Sequence, residues 1–255
     1  MKKKIKYSLI IGWLYPELMS TYGDRGNIIS LSKRCEWRDI DIEIRKLEIG
    51  FKIKDLIECN ILFMGGAQDK QQEIVSTDLT KDKINSISKM IENNIPGLYI
   101  CGAYQLLGKY YKKADGDIIQ GLKIFDIYTE NLEINAKRLV GDIIINPTID
   151  DLKSNTLVGF ENHGGRTYLG NNISPLGIVT FGFGNNGIDK TEGAIYKNSF
   201  GTYFHGPILP KNPHLADLII KKALEIKYHK IIKLIPLDDS LEFEAHNYIL
   251  NKLNH

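Results

Sequence analysis

The sequence is poor in cysteine and has no long apolar run. Its three cysteines, Cys35, Cys59 and Cys101, cannot form a paired disulfide framework, and their spacing matches no zinc pattern, so no metal site is expected. No apolar run reaches the roughly 18 residues that span a bilayer. The basic amino terminus precedes only a short apolar stretch without a cleavage pattern, which predicts a strand rather than a signal peptide. We therefore expect a cytoplasmic protein without a membrane-inserted element.

Motifs for nucleic acids and nucleotides are also missing. The net charge is +2 and the lysines are scattered, so no nucleic-acid partner is expected. Without a Walker A lysine motif or a Rossmann glycine fingerprint, we expect no cofactor on this chain. The 255 residues are 43% hydrophobic and 25% charged, as in ordinary globular proteins. Since we find no linker and no internal repeat, residues 1–255 are predicted to form a single domain.

The first part of the chain alternates predicted strands and helices. Strands are predicted at residues 5–12, 42–48, 60–64 and 97–101, and helices at 25–38, 55–58, 71–94 (with a break near residues 77–78) and 103–111. This alternation is typical of a parallel sheet with right-handed crossovers. Active sites of such sheets lie at the carboxyl ends of the strands.

Residues 118–204 are instead rich in short β-type segments broken by glycine and asparagine. Strands are predicted at residues 123–128, 138–145, 156–160, 194–197 and 200–204, and helices follow at 213–228 and 239–253. The predicted fold class is therefore α/β, a mixed and mostly parallel sheet with helices on both faces and a β-rich C-terminal half.

Cys101 ends a short apolar run and is followed by small residues and a predicted helix. Such a strand-to-helix turn exposes the sulfur at the end of the sheet, near the positive end of a helix dipole. That field favours the thiolate, which is the form that attacks carbonyl carbons. Cys101 is therefore the candidate nucleophile, whereas Cys35 and Cys59 are predicted to be packing residues.

A cysteine nucleophile needs a base and an oxyanion site. His205 ends an apolar strand that Gly-Pro interrupts, and His163 lies in a glycine-rich loop; an ordinary hydrogen-bonded loop histidine is the alternative for both. The N–H groups of Gly66 and Gly102 are predicted to bind the oxyanion, although Gly65–Gly66 also fits a simple tight turn. The other histidines, at positions 214, 229, 246 and 255, are predicted to be solvated.

Together these segments resemble the class I, or triad-type, glutamine amidotransferases, in the branch of the cobyric acid synthase glutaminase domains. The turn CGAYQLLG at residues 101–108 carries the general resemblance. Other segments narrow it to the GatD family, the glutaminase subunits of lipid II isoglutaminyl synthases: residues 14–16, 21–27, 33–38, 65–69, 159–167 and 203–207. The resemblance runs from about residue 5 to about residue 220 and implies the flavodoxin-like fold of class I amidotransferases.

The resemblance also implies a mechanism. Cys101 attacks the side-chain amide of L-glutamine, and His205 deprotonates the thiol and then protonates the leaving ammonia. Water hydrolyses the resulting glutamyl thioester. Gln105 is implied to help position glutamine and Arg138 to grip its carboxylate, which suits a guanidinium fork, although Arg138 fits a surface strand residue equally well.

Many class I relatives have an acid two positions after the histidine, and this chain has Pro207 there. Either a dyad suffices, or Glu161 or the partner supplies the acid, so we expect low glutaminase activity in the free chain and a rise on partner binding. The resemblance implies a heterodimer with MurT, a Mur-ligase-like subunit. ATP and Mg²⁺ are expected on MurT, which would amidate the D-glutamate α-carboxylate of lipid II to D-isoglutamine in peptidoglycan synthesis.

Three alternatives stay open. The chain could serve a cobyrinate-type amide synthase, although residues 22–27 favour the cell-wall function. It could be a stand-alone Cys–His amidase that needs no partner. It could also be a non-catalytic subunit that stabilises a synthase, which the presence of both Cys101 and His205 disfavours.

Overall fold

A computed structural model describes residues 7–133 and 136–253. The strands are β1 (Tyr7–Leu14), β2 (Ile40–Leu47), β3 (Ile61–Met64), β4 (Gly97–Ile100), β5 (Tyr110–Lys112), β6 (Ile118–Gln120), β7 (Ile127–Asn131), β8 (Leu139–Pro147), β9 (Leu157–His163), β10 (Gly165–Leu169), β11 (Gly177–Phe181), β12 (Thr191–Glu192), β13 (Ala194–Tyr196), β14 (Ser199–Thr202) and β15 (Phe204–His205). The helices are α1 (Arg25–Glu36), α2 (Ile53–Ile57), α3 (Asp69–Asp78), α4 (Lys81–Glu92), α5 (Gly102–Leu107), α6 (Pro213–Tyr228) and α7 (Ser240–Leu253). The first two residues of the predicted strand 5–12, and His255, lie outside the described residues.

The central sheet has the strand order β13-β14-β4-β3-β1-β2. Its strands run parallel from β14 to β2, and the edge strand β13 is antiparallel. Side chains of one strand alternate between two cores: Leu98 and Ile100 of β4 pack in the core that contains α1 and α6, and Tyr99 packs in the core that contains α2 to α5. Helices therefore cover both faces, and the predicted α/β class is confirmed.

The predicted β-rich section forms two further sheets, with the strand orders β12-β11-β8-β9-β15 and β10-β7-β5-β6. β14 belongs to the central sheet and β15 to the five-stranded sheet, and a single residue, Tyr203, separates them. The chain thus passes from one sheet to the other immediately before His205. β15 pairs with β9, which ends at His163, so both candidate histidines lie in this region.

Two predicted elements around α5 are wrong in their extent. The helix predicted to reach residue 111 ends at Leu107, and the strand predicted to begin at residue 123 begins at Ile127. The backbone N–H groups of residues 122, 124 and 125 instead donate to the carbonyls of Leu106 and Leu107. The last carbonyls of a helix need outside partners, so residues 122–125 cap α5 rather than join a sheet.

The helical predictions at 71–94, 213–228 and 239–253 agree with the structure. The predicted break is confirmed, because α3 ends at Asp78 and Thr80 begins α4 by accepting a hydrogen bond from the N–H of Lys83. α6 has the predicted bounds, and α7 begins one residue later than predicted. None of the helices in the described part of the chain is both long and apolar enough to cross a membrane.

The prediction of solvated histidines is wrong for His214 and His246. The ring of His246 is buried between the hydroxyl of Thr156 and the carbonyl of Lys211. Burial lowers the pKa of His214 to about 4, and it lowers the pKa of His246 as well. Both rings pack against Phe243 of α7. The two imidazoles are neutral, and their contacts help to hold the C-terminal helix in place. His229, just after α6, is exposed as predicted.

Candidate active site

Cys101 occupies the turn between β4 and α5 in a strained backbone conformation. Its φ is 51° and its ψ is −104°, a combination that side-chain-bearing residues rarely adopt. Hydrogen bonds fix the turn, because Cys101 N–H donates to the carbonyl of Thr202 and Gln105 N–H donates to the carbonyl of Cys101. Such a turn raises the side chain above the end of the sheet. Cys101 therefore lies on the predicted turn at the end of β4, and its role as the nucleophile stays a prediction.

The other two cysteines are buried and inert. Cys35 is fully buried in α1, and Cys59 is 2% exposed just before β3. Burial raises the pKa of each thiol to about 12, so neither forms a thiolate at neutral pH. The prediction that both are packing residues is confirmed.

The structure brings His205 to Cys101. β14 pairs in parallel with β4, so the strand ends that precede the two residues are neighbours. Both side chains border Gly66: a Cβ atom placed on Gly66 would lie 2.9 Å from Cε1 of His205 and 3.4 Å from Cβ of Cys101. The ring of Tyr22 packs edge-on against His205, with 4.9 Å between ring centroids. A glycine is needed at position 66 because any side chain would enter this space.

Asp24 is the site residue that the sequence reasoning missed. It is fully buried, its Oδ1 lies 3.4 Å from Nδ1 of His205, and its Oδ2 accepts the N–H of Gly66 at 2.6 Å. Residues 21–27 had contributed only to the family resemblance, with no role for this aspartate. Asp24 lies near His205 because the turn before α1 meets the end of β3. No local sequence pattern predicts this contact between distant segments.

Electrostatics around His205 favour its protonated form. Burial alone lowers the pKa of this ring, but negative charge on Cys101 and on Asp24 outweighs burial and raises the pKa to about 10. An imidazolium beside a thiol in turn favours the thiolate. The structure therefore places a protonated histidine beside the sulfur of Cys101.

The predicted oxyanion site differs from the structure in one donor. The N–H of Gly66 donates to Asp24, so it is already engaged. The nitrogen of the next residue, Ala67, lies 3.0 Å from where a Cβ atom of Gly102 would be. Gly102 begins α5, and the first N–H groups of a helix have no partner within it. The geometry thus favours Ala67 and Gly102, rather than Gly66 and Gly102, as the pair of donors.

Cys101 and His205 open into a cavity of about 390 Å³, large enough for a small amino acid. Its lining includes the basic side chain of Arg138 and the carboxylate of Asp69. Arg138 is exposed and lies just before β8. Its guanidinium donates to the side-chain oxygen and the carbonyl of Asn162, at 2.9 and 2.8 Å. The predicted carboxylate-binding arginine is therefore at the cavity.

Sequence comparisons agree with this geometry. The model of the CobB/CobQ-like glutamine amidotransferase domain matches residues 10–213. The chain is 41% identical over 250 residues to the GatD subunit of the glutamine-hydrolyzing lipid II isoglutaminyl synthase of Staphylococcus aureus strain N315, covering 97% of each chain. The chain belongs to the GatD family. It is also 44% identical over 241 residues to the corresponding GatD subunit of Streptococcus pneumoniae R6, covering 93% of this chain and 89% of that one.

More distant similarities place the GatD family within a wider group. A probable cobyric acid synthase of Methanosphaera stadtmanae is 29% identical over 235 residues, which are 86% of this chain but 45% of that protein. A crystal structure of a glutamine amidotransferase superposes with a TM-score of 0.58 at 14% identity, covering 84% of this chain and 98% of that one. The predicted family and the predicted amidotransferase fold are confirmed.

Gln105, on α5 of this GatD-family chain, lines the cavity but uses its amide internally. Its Nε2 donates to the hydroxyl of Tyr203 at 3.1 Å, and its Oε1 accepts from Nε2 of Gln72 at 3.1 Å. Tyr203 is the residue between β14 and β15. Gln105 therefore links α5 to the strand that carries His205, and its predicted contact with glutamine stays a prediction.

His163 and Glu161 form a second buried cluster in this GatD-family site. Nδ1 of His163 donates to the carbonyl of Gly165 at 2.7 Å, and its ring stacks on Tyr203. Burial lowers the pKa of His163 to about 3, so the ring is neutral. Glu161 accepts the N–H groups of Phe183 and Gly184, and burial raises its pKa to about 7. These partners differ from the predicted role of Glu161, because they tie its carboxylate to a loop rather than to His205.

Proposed function

We propose that this chain is the glutamine-hydrolysing subunit of a lipid II isoglutaminyl synthase. The observation that carries the proposal is the meeting of Cys101 and His205 at a cavity of amino-acid size in a chain similar to two GatD subunits over nearly its full length. The similarity to GatD subunits indicates the substrate, and the geometry of the site supplies the chemical groups, so the two observations support each other.

The residues support acyl transfer through a thioester. The sulfur of Cys101 attacks the carbonyl carbon of the glutamine side-chain amide, and the N–H groups of Gly102 and Ala67 stabilise the oxyanion. As the C–N bond breaks, His205 gives its proton to the leaving nitrogen, and ammonia departs. His205 then takes a proton from water, which attacks the thioester and releases glutamate and the cysteine thiolate.

The cavity suits the zwitterionic end of glutamine. Arg138 offers a guanidinium for the α-carboxylate, and Asp69 offers a carboxylate for the α-ammonium group. The hydroxyl of Tyr111 donates to Asp69 at 3.1 Å and fixes one of its oxygens. A cation and an anion in one small cavity favour a free amino acid over a neutral amide or a peptide interior.

Arg138→Ala is expected to raise the KM for glutamine about 10- to 100-fold, because one charge-assisted hydrogen-bonded contact is lost. The kcat should change much less, since Arg138 lies away from the reacting amide. Ammonia release at varied glutamine concentration measures both constants, and Arg138→Lys should recover part of the affinity. An unchanged KM in Arg138→Ala would assign the carboxylate to another group.

The partner is proposed to be the Mur-ligase-like subunit MurT, which would bind ATP and Mg²⁺. MurT would amidate lipid II in the cytoplasm with the ammonia that this chain releases. Co-purification with a candidate MurT, followed by transfer of ¹⁵N from amide-labelled glutamine into lipid II, tests this proposal. We expect label in D-isoglutamine only when both subunits and ATP are present. The sequence-based prediction that glutaminase activity rises on partner binding is measured in the same assay.

The same assay separates the alternatives. Label in a cobyrinate substrate with a different synthase would indicate a cobyrinate-type glutaminase. Rapid hydrolysis of unrelated amides by the free chain would indicate a stand-alone amidase. Failure of a glutamine-like electrophile to label Cys101, in free chain and complex alike, would indicate a non-catalytic subunit.

A further inference from the structure

Asp24 lies at the N-cap position of α1, yet its side chain makes no capping hydrogen bond. An aspartate there ordinarily accepts a hydrogen bond from the second or third N–H of the helix. The Asp24 carboxylate is instead fully buried and points to the end of β3. Its position is therefore not explained by the stability of α1.

Its two oxygens meet two parts of the active site. Oδ2 accepts the N–H of Gly66, and Oδ1 lies 3.4 Å from Nδ1 of His205. Neither Oδ1 nor Nδ1 has a hydrogen-bond partner among the described residues. A buried polar atom without a partner is unfavourable, and a proton on Nδ1 satisfies both atoms after a small closing of the gap.

We propose that Asp24 is the positioning carboxylate of this active site, holding the Nδ1–H of His205 through Oδ1 and the turn at Gly66 through Oδ2. The proposal rests on the glutaminase function proposed above and adds a residue to it. With Nδ1 carrying the held proton, Nε2 is the nitrogen that exchanges protons at Cys101. The acid that the sequence lacks after His205 then comes from the start of the same chain.

The second contact gives Asp24 a further effect. Because Oδ2 fixes Gly66, it also fixes the next residue, Ala67, whose nitrogen lies beside Gly102. One carboxylate thereby sets the relative positions of the base and of a candidate oxyanion donor. Both must be correct at once for the tetrahedral intermediate to form.

Other groups near His205 do not take this role. The titratable groups beside its ring are Cys101, Asp24 and Tyr22. His163 and Arg138 line the same cavity. His163 is neutral and bonded to Gly165. Glu161 lies on β9, opposite Phe204, but its oxygens accept backbone N–H groups of residues 183 and 184. Among residues 7–133 and 136–253, Asp24 is the carboxylate that faces Nδ1.

The test is Asp24→Asn, which keeps the size of the side chain and an oxygen for Gly66. An amide cannot accept Nδ1–H through its nitrogen, so kcat for ammonia release is expected to fall about 10²- to 10⁴-fold, with KM within about threefold. The pH profile of Cys101 alkylation by iodoacetamide should shift, because loss of the Asp24 charge lowers the pKa of the neighbouring His205. Wild-type kcat and an unshifted alkylation profile would overturn the proposal.

Thr21→Val is the matched control for the Gly66 contact alone. The Thr21 hydroxyl donates to the carbonyl of Gly66 at 2.9 Å and is not among the hydrogen-bond partners of His205. Its loss loosens the same turn, so a smaller fall in kcat and no shift in the alkylation profile are expected. If Thr21→Val reproduced both effects of Asp24→Asn, Asp24 would support only the turn.

Two further measurements keep the outcome clear. In wild-type protein labelled with ¹⁵N-histidine, NMR should show His205 protonated at Nδ1, and a neutral Nε2–H tautomer would overturn the proposal without any variant. Asp24→Asn should impair the free chain and the complex alike, whereas an effect confined to the free chain would mean that the partner supplies the orienting acid. Alkylation of Cys101 needs no glutamine, so it tests Asp24 even if wild-type protein released no ammonia and the proposed function failed.

Discussion

Replacing Cys101 with alanine is expected to lower glutamine hydrolysis by about 10⁵-fold or more, to the level of the assay blank. In the proposed mechanism the reaction needs a sulfur nucleophile at this position, and no solvent molecule replaces a sulfur held on the turn between β4 and α5. Alanine keeps the Cβ atom, so the backbone strain at position 101 is unchanged and the fold should be retained. Ammonia release by the complex with its partner measures the effect, and thermal unfolding verifies the fold.

Cys59→Ala is the control for this substitution. Cys59 is buried next to β1 and lies outside the cavity, so its removal should cost some stability and leave kcat near wild type at 25 °C. Labelling by a glutamine-like electrophile should persist in Cys59→Ala and disappear in Cys101→Ala. Substantial turnover by Cys101→Ala would contradict the thioester mechanism and leave a water-based hydrolysis as the explanation.

Arg34→Met is expected to lower the free energy of unfolding by about 3–5 kcal/mol, because it removes the buried cation that pairs with Asp239 and leaves Asp217 paired with Arg38 alone. The Arg34 guanidinium is 2% exposed and donates to Asp217 of α6 at 2.7 Å and to Asp239, just before α7, at 2.5 and 3.0 Å. It therefore joins α1 to both C-terminal helices. Denaturant unfolding of wild type and variant gives the difference directly.

Lys33→Ala provides a matched comparison on the same helix. Its ammonium pairs with Glu36 at 2.6 Å, but the two side chains are 52% and 47% exposed. An exposed pair of this kind contributes about 0–1 kcal/mol. A loss of less than about 1 kcal/mol in Arg34→Met as well would mean that the buried network contributes no more than a surface pair.

The parallel sheet and the position of the candidate nucleophile could be predicted because their signals are local. β4 is a continuous apolar run and Cys101 comes directly after it. One short segment, residues 97–107, therefore contains the signals for the strand, the turn and the helix. α6 carries its own apolar period and its own proline at the start, and its predicted bounds were correct.

Other features were decided by parts of the chain that lie far apart in sequence. Residues 122–125 have β-type composition, but the backbone N–H groups of residues 122, 124 and 125 donate to the last carbonyls of α5. His246 sits in a polar helix and still is buried, because α7 packs against β9 and places the ring beside Thr156. Asp24 carries no local signal of its role, and only the position of β3 shows what its carboxylate contacts.

The strained backbone at position 101 affects which substitutions would stabilise the protein. A non-glycine residue held at positive φ with this ψ costs about 1–3 kcal/mol that the remaining contacts must offset. A descendant that no longer hydrolysed glutamine would become more stable by accepting glycine there. A cysteine in this conformation is therefore explained by its chemistry and not by its contribution to stability.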